Sequence, residues 1–468
     1  MAIGIVTVLQ YFFLAYTLAI GLAYLLLNLI ALFAVRNYMG EQRYDTFLQT
    51  FSDFEPPISI LVPAYNEELT IESTVRSLLQ LSYSNYEIIV INDGSTDNTM
   101  PLLIDKFGLL RIPESYSRKL ETKPVRGFYL STVYPNLKVI DKENGGKADA
   151  LNAGLNAAMY PMFCSIDSDS ILERNSLRRV IRPFLNDPRT VAAGGTIRIV
   201  NGSEVREGHL LRAGLPSNLL ERFQIIEYLR AFLFGRIGWT PINCLMVLSG
   251  AFSLFRKDKV IEVGGYKTGT VGEDMELVVR LHRLLRSKGE QYRITFVPDP
   301  ICWTEAPADL ATLRKQRIRW QRGLGESLAL NLGLLFHPRG GLVGWVAFPF
   351  MLAFEFLGPL VEIAGYIFVT IGLVLGFVSY RIALLFFALA VGLGVLISVV
   401  SLLIEEISFH IYGGVRQILG LFIAAVLENF GYRQLISWWR LQGVLGSLLG
   451  RRSEWGQMKR LGNWARPA

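Results

Sequence analysis

Hydrophobic and polar positions alternate between two textures along this chain. Residues 1–35 and 382–404 are apolar runs without one charged side chain, and about 20 such residues span a bilayer. The first run exceeds the apolar core of roughly 7–15 residues found in a signal peptide, so it predicts a spanning helix that stays in place. Arg36 and Arg43 follow it. By the positive-inside rule they predict a cytosolic segment next and an N-terminus outside. From residue 56 to about residue 340 the pattern is that of an α/β domain. Residues 58–62 and 87–91 are short, β-branched and apolar, as buried parallel strands are. Residues 69–81 between them have helical spacing and an acidic first turn at Glu67 and Glu68, which completes a βαβ unit. A helix over 148–158 leads to a third strand ending at 163–166. Such alternation predicts a mostly parallel, Rossmann-like sheet whose ligands bind at the strands' carboxyl ends. Residues 111–136, rich in proline and polar side chains, read as a loop or insertion.

The last third returns to apolar texture. Residues 342–379 number 38, roughly 57 Å as one helix, far beyond one crossing, and Gly358-Pro359 is the natural break. Two readings stand: two crossings, or a surface segment over 342–357 with a single crossing over 359–378. Residues 382–404 are a clear span, and 418–427, between Arg416 and Glu428, a marginal one. Residues 435–449, with Trp438 and Trp439, are too few to span and predict an interfacial amphipathic helix. The basic tail (Arg451, Arg452, Lys459, Arg460) belongs in the cytosol, so the C-terminal crossings are even in number, two or four. The expected division is a transmembrane helix and linker over 1–50, a cytosolic domain over 51–340, membrane and interfacial helices over 341–450, and a tail over 451–468.

Composition agrees. The 468 residues are 51% hydrophobic and only 19% charged, against about 25% charged in soluble domains, and mean hydropathy is +0.34. Disorder, collagen-like and disulfide-rich classes are excluded. Cys164, Cys244 and Cys302 are far apart and form no CxxC, which argues against a disulfide framework and a structural zinc site. The net charge of +7 suits an anionic lipid surface or a phosphate-bearing substrate, and positive-inside bias alone also accounts for it. Nothing calls for a nucleic acid. Gly145-Gly146-Lys147 is not a Walker loop, because Ala148 stands where Ser or Thr is needed. GxGxxG, HExxH and GxSxG are all absent.

Polar residues gather instead at strand ends. Asp167-Ser168-Asp169 follows an apolar strand, and alternate carboxylates there can share one cation that keeps waters and takes substrate phosphates. A capping turn is the plainer reading of a lone DxD. Tyr65-Asn66-Glu67-Glu68 and Asn92-Asp93-Gly94-Ser95 leave the first two strands where a parallel sheet binds a nucleotide. Alone, each reads as a turn. Glu273-Asp274 opens a helix, either complementing its dipole or supplying a general base. Gln316, Arg319 and Trp320, at i, i+3 and i+4, put an amide, a guanidinium and an indole on one face. The alternative is a basic interfacial helix with Arg314, Lys315, Arg317 and Arg322.

In order, these residues resemble the membrane-bound family-2 glycosyltransferases of GT-A fold, especially the poly-N-acetylglucosamine, hyaluronan, chitin and cellulose synthase branch. The matching elements are Pro63-Ala-Tyr-Asn-Glu-Glu68, Asn92-Asp-Gly-Ser95, Gly146-Lys147, Asp167-Ser-Asp169, Glu273-Asp274 and Gln316-Arg-Ile-Arg-Trp320. They cover about residues 56–323, with flanking membrane segments. The resemblance implies that Tyr65, Glu67 and Asp93 hold a uridine and that Lys147 lies near the nucleotide or its phosphates. It implies that Asp167 and Asp169 bind the diphosphate, Asp169 through Mg2+ or Mn2+, and that Asp274, beside Glu273, is the catalytic base. Gln316, Arg319 and Trp320 would grip the diphosphate and acceptor sugar, and Ser249-Gly250-Ala251 would line the acceptor site. Trp455-Gly456 with Lys459-Arg460 resembles the C-terminal gating segment of some synthases. Two departures stand out: Gly272 replaces the Thr of the usual Thr-Glu-Asp, and the membrane region is small for a self-contained polymer channel, so an accessory subunit would complete one.

The implied function is inverting, metal-dependent transfer from a UDP-sugar onto a growing β-linked polysaccharide at the cytosolic face of the plasma membrane. Two alternatives accompany it. One is transfer of a single sugar to a lipid-linked or short glycan. The other is a nucleotide-sensing transporter, which would use acids such as Glu355, Glu362, Glu405, Glu406 and Glu428.

Overall fold

The computed structural model describes residues 2–49, 55–113, 116–206 and 208–450; the gating-like segment and the basic tail lie outside them. Strands β1 (Ile58–Ala64) and β2 (Tyr86–Asp93) are buried along nearly their whole length and pair in parallel, with the helix Ile71–Leu79 between them. The predicted βαβ unit is therefore present. Beyond it come β3 (Leu109–Ile112), β4 (Val125–Ser131), β5 (Leu137–Lys142), β6 (Met162–Ile166) and β7 (Ile171–Leu172). Then follow β8 (Thr190–Ile199), β9 (Glu204–Arg206), β10 (His209–Arg212), β11 (Phe252–Arg256) and β12 (Arg293–Thr304). Ten of these form one sheet in the order β3-β4-β5-β2-β1-β6-β11-β8-β12-β7, and β9 and β10 make a separate ribbon. The central β5-β2-β1-β6 block is parallel; β11 runs antiparallel between β6 and β8.

The segment 111–136, read as a loop or insertion, holds strand at residues 111–112 and 125–131, parts of the antiparallel pair β3 and β4, and leads into β5, which runs parallel to β2. This pair forms the sheet's edge, where Pro124, Gly127 and exposed polar side chains are tolerated, so its composition hides the strands.

The N-terminal helix Ala2–Gln49 is 48 residues long. Its Gly4–Gly40 stretch is apolar enough to cross a membrane, while Ala31 and Val35 already pack into the core of the sheet domain. Tyr380–Ser408 is a second helix of that kind. Val343–Phe356 and Gly358–Val374 meet at a 44° bend, at the predicted Gly358-Pro359 break, and together make a third candidate. Val415–Leu427 has 13 residues, roughly 20 Å of helix against a hydrocarbon core of about 30 Å. The helix Tyr432–Leu448 buries Trp439 and exposes Trp438. Its buried face packs on the helix Leu310–Leu330, with Leu313, Tyr432, Ile436 and Trp439 in one apolar cluster.

Candidate active site

The exits of β1 and β2 are sewn to each other. Asn66 adopts a left-handed backbone (φ 55°), its N–H donating to Ser95 Oγ (3.0 Å) and its Oδ1 accepting from Thr96 N–H (2.8 Å). Glu67 N–H donates to Thr99 Oγ1, and Glu67 Oε2 accepts from the Thr70 hydroxyl. The Tyr65 ring is left 42% exposed above this seam, open to stacking. Asp93, by contrast, is buried. Its Oδ1 accepts from Lys142 Nζ (2.5 Å) and Gly145 N–H (3.0 Å), and its Oδ2 from Gly146 N–H (2.7 Å). The Gly145-Gly146 loop thus grips a carboxylate of the protein itself. Lys142, fully buried, also pairs with Asp149 at 2.6 Å. The sequence reading missed this lysine, whose only signal was a charge ending an apolar strand.

Four strand and helix ends then converge on one ammonium. Lys147 opens the helix Lys147–Ala157, and its Nζ lies 2.6 Å from Asp167 Oδ1, past the end of β6, and 3.3 Å from Glu273 Oε1. Glu273 and Asp274 begin the helix Glu273–Lys288, as their spacing predicted. Asp274 Oδ2 accepts from Gly250 N–H (3.0 Å) and its Oδ1 from Met275 N–H (2.8 Å), so backbone donors orient the carboxylate from two sides. A side chain at Gly250 would crowd the ammonium: a Cβ there would stand 2.8 Å from Lys147 Nζ and 3.4 Å from Asp274 Oδ2. Ser249 closes the turn, its carbonyl accepting from the Ser253 hydroxyl. Burial alone would lower the pKa of Lys147, but Asp167, Glu273 and Asp274 hold it well above the ordinary ammonium range. Burial pushes the Glu273 carboxyl up, with Lys147 opposing and Asp274 reinforcing the shift.

Asp169 is 7% exposed and stands two residues after Asp167 on the same strand exit. Among the described residues no three His, Cys, Asp or Glu side chains gather as a metal cage. Two carboxylates without a third suit a cation that completes its shell with water and phosphate oxygens, as Mg2+ and Mn2+ do.

The third part of the site is the helix Leu310–Leu330. Gln316 is buried, its Oε1 accepting from Arg317 Nη1 at 2.6 Å. Arg317 is not the surface cation of the basic-helix reading: it is 2% exposed and paired with Glu227 at 2.7 Å. Its guanidinium lies 4.3 Å from the centroid of the Trp320 ring, which also meets Phe232. Arg317 therefore holds the indole from beneath. Arg319 is half-buried on the same helix. A backbone contact joins this helix to the carboxylates. A Cβ on Gly272 would stand 2.8 Å from Gly323 Cα, and one on Gly323 2.9 Å from Gly272 Cα. The missing Thr of the family pattern is thus matched by a glycine one turn past Trp320.

Residues 162–398 match the family described as glycosyl transferase family group 2, and residues 59–108 match glycosyl transferase family 2. The chain belongs to the family-2 glycosyltransferases. Among curated relatives, a poly-beta-1,6-N-acetyl-D-glucosamine synthase of Staphylococcus aureus (strain COL) is 34% identical over 273 residues, 58% of this chain and 55% of the relative. The synthase of the same name from Staphylococcus epidermidis is 31% identical over the same length. This family-2 transferase spans about half the length of the curated relatives it matches. Among solved structures, a mannosyltransferase of Pyrobaculum calidifontis in complex with GDP-Man and Mn2+ superposes with a TM-score of 0.51 at 17% identity. That match covers 94% of this chain and 99% of the other. The transferase domain therefore has the GT-A fold, here carried with long apolar helices on both flanks.

Proposed function

We propose that this transferase moves a sugar from a UDP-sugar onto the hydroxyl of a growing β-linked glycan, with inversion, at the cytosolic face of a membrane. The observation that carries the reading is the meeting of Lys147 Nζ with Asp167 at 2.6 Å and Glu273 at 3.3 Å, beside Asp274, which the Gly250 N–H holds at 3.0 Å. In this reading Tyr65 stacks on the uracil, Glu67 lines the same exit, and Asp93 holds the loop beneath the nucleotide. Asp167 and Asp169 would hold Mg2+ or Mn2+, which supplies neutralisation of the charge building on the leaving diphosphate. The Mn2+ in the mannosyltransferase of like fold supports that assignment.

Lys147 balances Asp167 and Glu273 and adds a positive charge beside the diphosphate. Asp274, fixed by two backbone donors, takes the proton of the acceptor hydroxyl as its oxygen attacks the anomeric carbon. The bond to the diphosphate breaks, UDP leaves with that electron pair, and an α-linked donor gives a β-linkage. Trp320 offers a flat platform for the acceptor sugar, with Gln316, Arg319, Ser249 and Gly250 around it, which favours holding the product between turnovers. The apolar helices over 1–50 and 341–450 would anchor the domain over 51–340 as a multi-pass protein of the plasma membrane, with an accessory subunit completing any passage. The similarity to poly-beta-1,6-N-acetyl-D-glucosamine synthases supports a polysaccharide product.

Metal removal tests the donor half of this scheme. UDP-sugar turnover by the membrane-embedded protein is expected to vanish in EDTA and to return with Mn2+ or Mg2+. Asp169→Asn should need much more metal for half-maximal rate. Undiminished turnover in EDTA contradicts the metal assignment.

A further inference from the structure

Away from the carboxylates, at the far end of the helix Glu273–Lys288, lies a recess of about 440 Å³ whose walls include Arg189, Arg286, Tyr292, Arg339 and Glu290. Two of its charges are already balanced: Arg189 pairs with Asp187 at 2.8 Å and Glu290 with Lys259 at 2.6 Å. Arg286 and Arg339, with Arg283 one turn away, ion-pair with no carboxylate among the described residues. Their guanidiniums donate only to neutral oxygens: Tyr292 Oη from Arg286, the Ser287 carbonyl from Arg339 and the Leu330 carbonyl from Arg283. Arg286 also lies 5.4 Å from the Tyr292 ring centroid. Two uncompensated guanidiniums on one concave wall fit a phosphate monoanion.

The loop that brings Arg339 to the recess also carries exposed apolar side chains. Phe336 is 52% exposed, Leu342 50% and Trp345 54%. The Phe336 and Trp345 rings pack at 5.2 Å, and Trp345 Nε1–H donates to the His337 carbonyl. Arg286 touches the same loop at Gly341. An amphipathic ring pair beside arginines is the composition of a membrane–water boundary. Trp345 lies on the segment Val343–Phe356, which with Gly358–Val374 makes a candidate span, and its Phe350 meets Tyr24 of the apolar N-terminal helix at 5.8 Å.

We infer that the Arg286–Arg339 recess binds the phosphate headgroup of an anionic phospholipid, with Trp345 and Phe336 seated among the neighbouring acyl chains. The inference rests on the bilayer reading of the flanking helices but not on the transfer chemistry. Such a site would hold the domain at a fixed height and tilt, and would tune it to the anionic lipid around it.

The test uses the full chain in nanodiscs of phosphatidylcholine containing either brominated phosphatidylglycerol or brominated phosphatidylcholine. Quenching of Trp345 is isolated as the difference between the native chain and Trp345→Phe. Brominated phosphatidylglycerol is expected to quench Trp345 at roughly a tenth of the mole fraction that brominated phosphatidylcholine needs. In Arg286→Gln/Arg339→Gln the two lipids should quench equally, and retained quenching by phosphatidylcholine shows the variant still folded and inserted. Equal quenching in the native chain overturns the proposal. Loss of the phosphatidylglycerol excess in millimolar inorganic phosphate overturns it too, assigning the recess to a soluble anion, and absence of quenching by both lipids places the loop off the bilayer.

Discussion

Gly250 shows how little space separates Lys147 from Asp274. Its N–H orients Asp274, and the absence of a side chain admits the Lys147 ammonium. Gly250→Ala would push a methyl group to 2.8 Å from Nζ, and a flexible lysine yields more readily than the backbone. The expected result is a fold within about 1 kcal/mol of native but a turnover lowered roughly tenfold, since about 1.4 kcal/mol lost in the transition state suffices. Parallel melting and rate measurements check both halves. At this scale position alone put Asp167 and Asp169 at a strand exit and Glu273 and Asp274 at a helix start, while it left capping and dipole readings open, and only the family resemblance gave them roles. It was silent on partners that arrive from distant elements. Arg317 looked like one cation in a basic helix because Glu227, its partner, is 90 residues away. Asp93 looked available to a ligand because its donors come from a loop 52 residues on.

Between elements, the contact of Gly272 with Gly323 sets how closely the helix bearing Trp320 approaches the helix bearing Asp274. Glu326 adds to it, its Oε2 accepting from the Thr270 hydroxyl and from Val271 N–H at 3.0 Å each. Restoring the family's usual residue with Gly272→Thr should therefore harm this protein, because the new Cβ meets backbone that cannot rotate away. Overpacking of this sort costs about 1–3 kcal/mol, and calorimetry should show a lower melting temperature with a larger loss of turnover. An unchanged melting temperature would mean the two helices separate freely. Single-sequence reading found the elements with clean periodicity, β1, β2 and β6 with their helices, because their apolar runs are unbroken. The edge pair β3 and β4 escaped because edge strands carry glycine, proline and charge by design of the sheet. The bend at Gly358-Pro359 was legible, since proline announces it.

Across the whole molecule, the transferase domain is tied to the apolar helices by buried charge. Arg198 on β8 and Glu405 on Tyr380–Ser408 lie 3.3 Å apart at 3% and 0% exposure, and the Arg198 guanidinium lies over the Phe409 ring. Neither side chain has a further hydrogen-bond partner among the described residues. Removing one partner leaves an uncompensated charge, so Glu405→Gln should cost about 3–5 kcal/mol, while Arg198→Met/Glu405→Leu together should come close to native. Thermal melting of the purified protein in lipid decides between this and an idle pair. The sequence named Glu405 only as an acid in a long apolar segment, without the arginine that explains it.

In the proposed scheme one carboxylate, Asp274, drives polymer-forming transfer beside the Lys147–Asp167 pair. It is tested by supplying membranes that contain the native chain or Asp274→Asn with a panel of labelled UDP-sugars and Mn2+ or Mg2+, then sizing the product. The expected result is a high-mass, glycosidase-sensitive product from one donor, reduced at least 100-fold in the variant. A high-mass product made equally well by Asp274→Asn would contradict it, and a product carrying a single added sugar would replace polymerisation with one-step transfer.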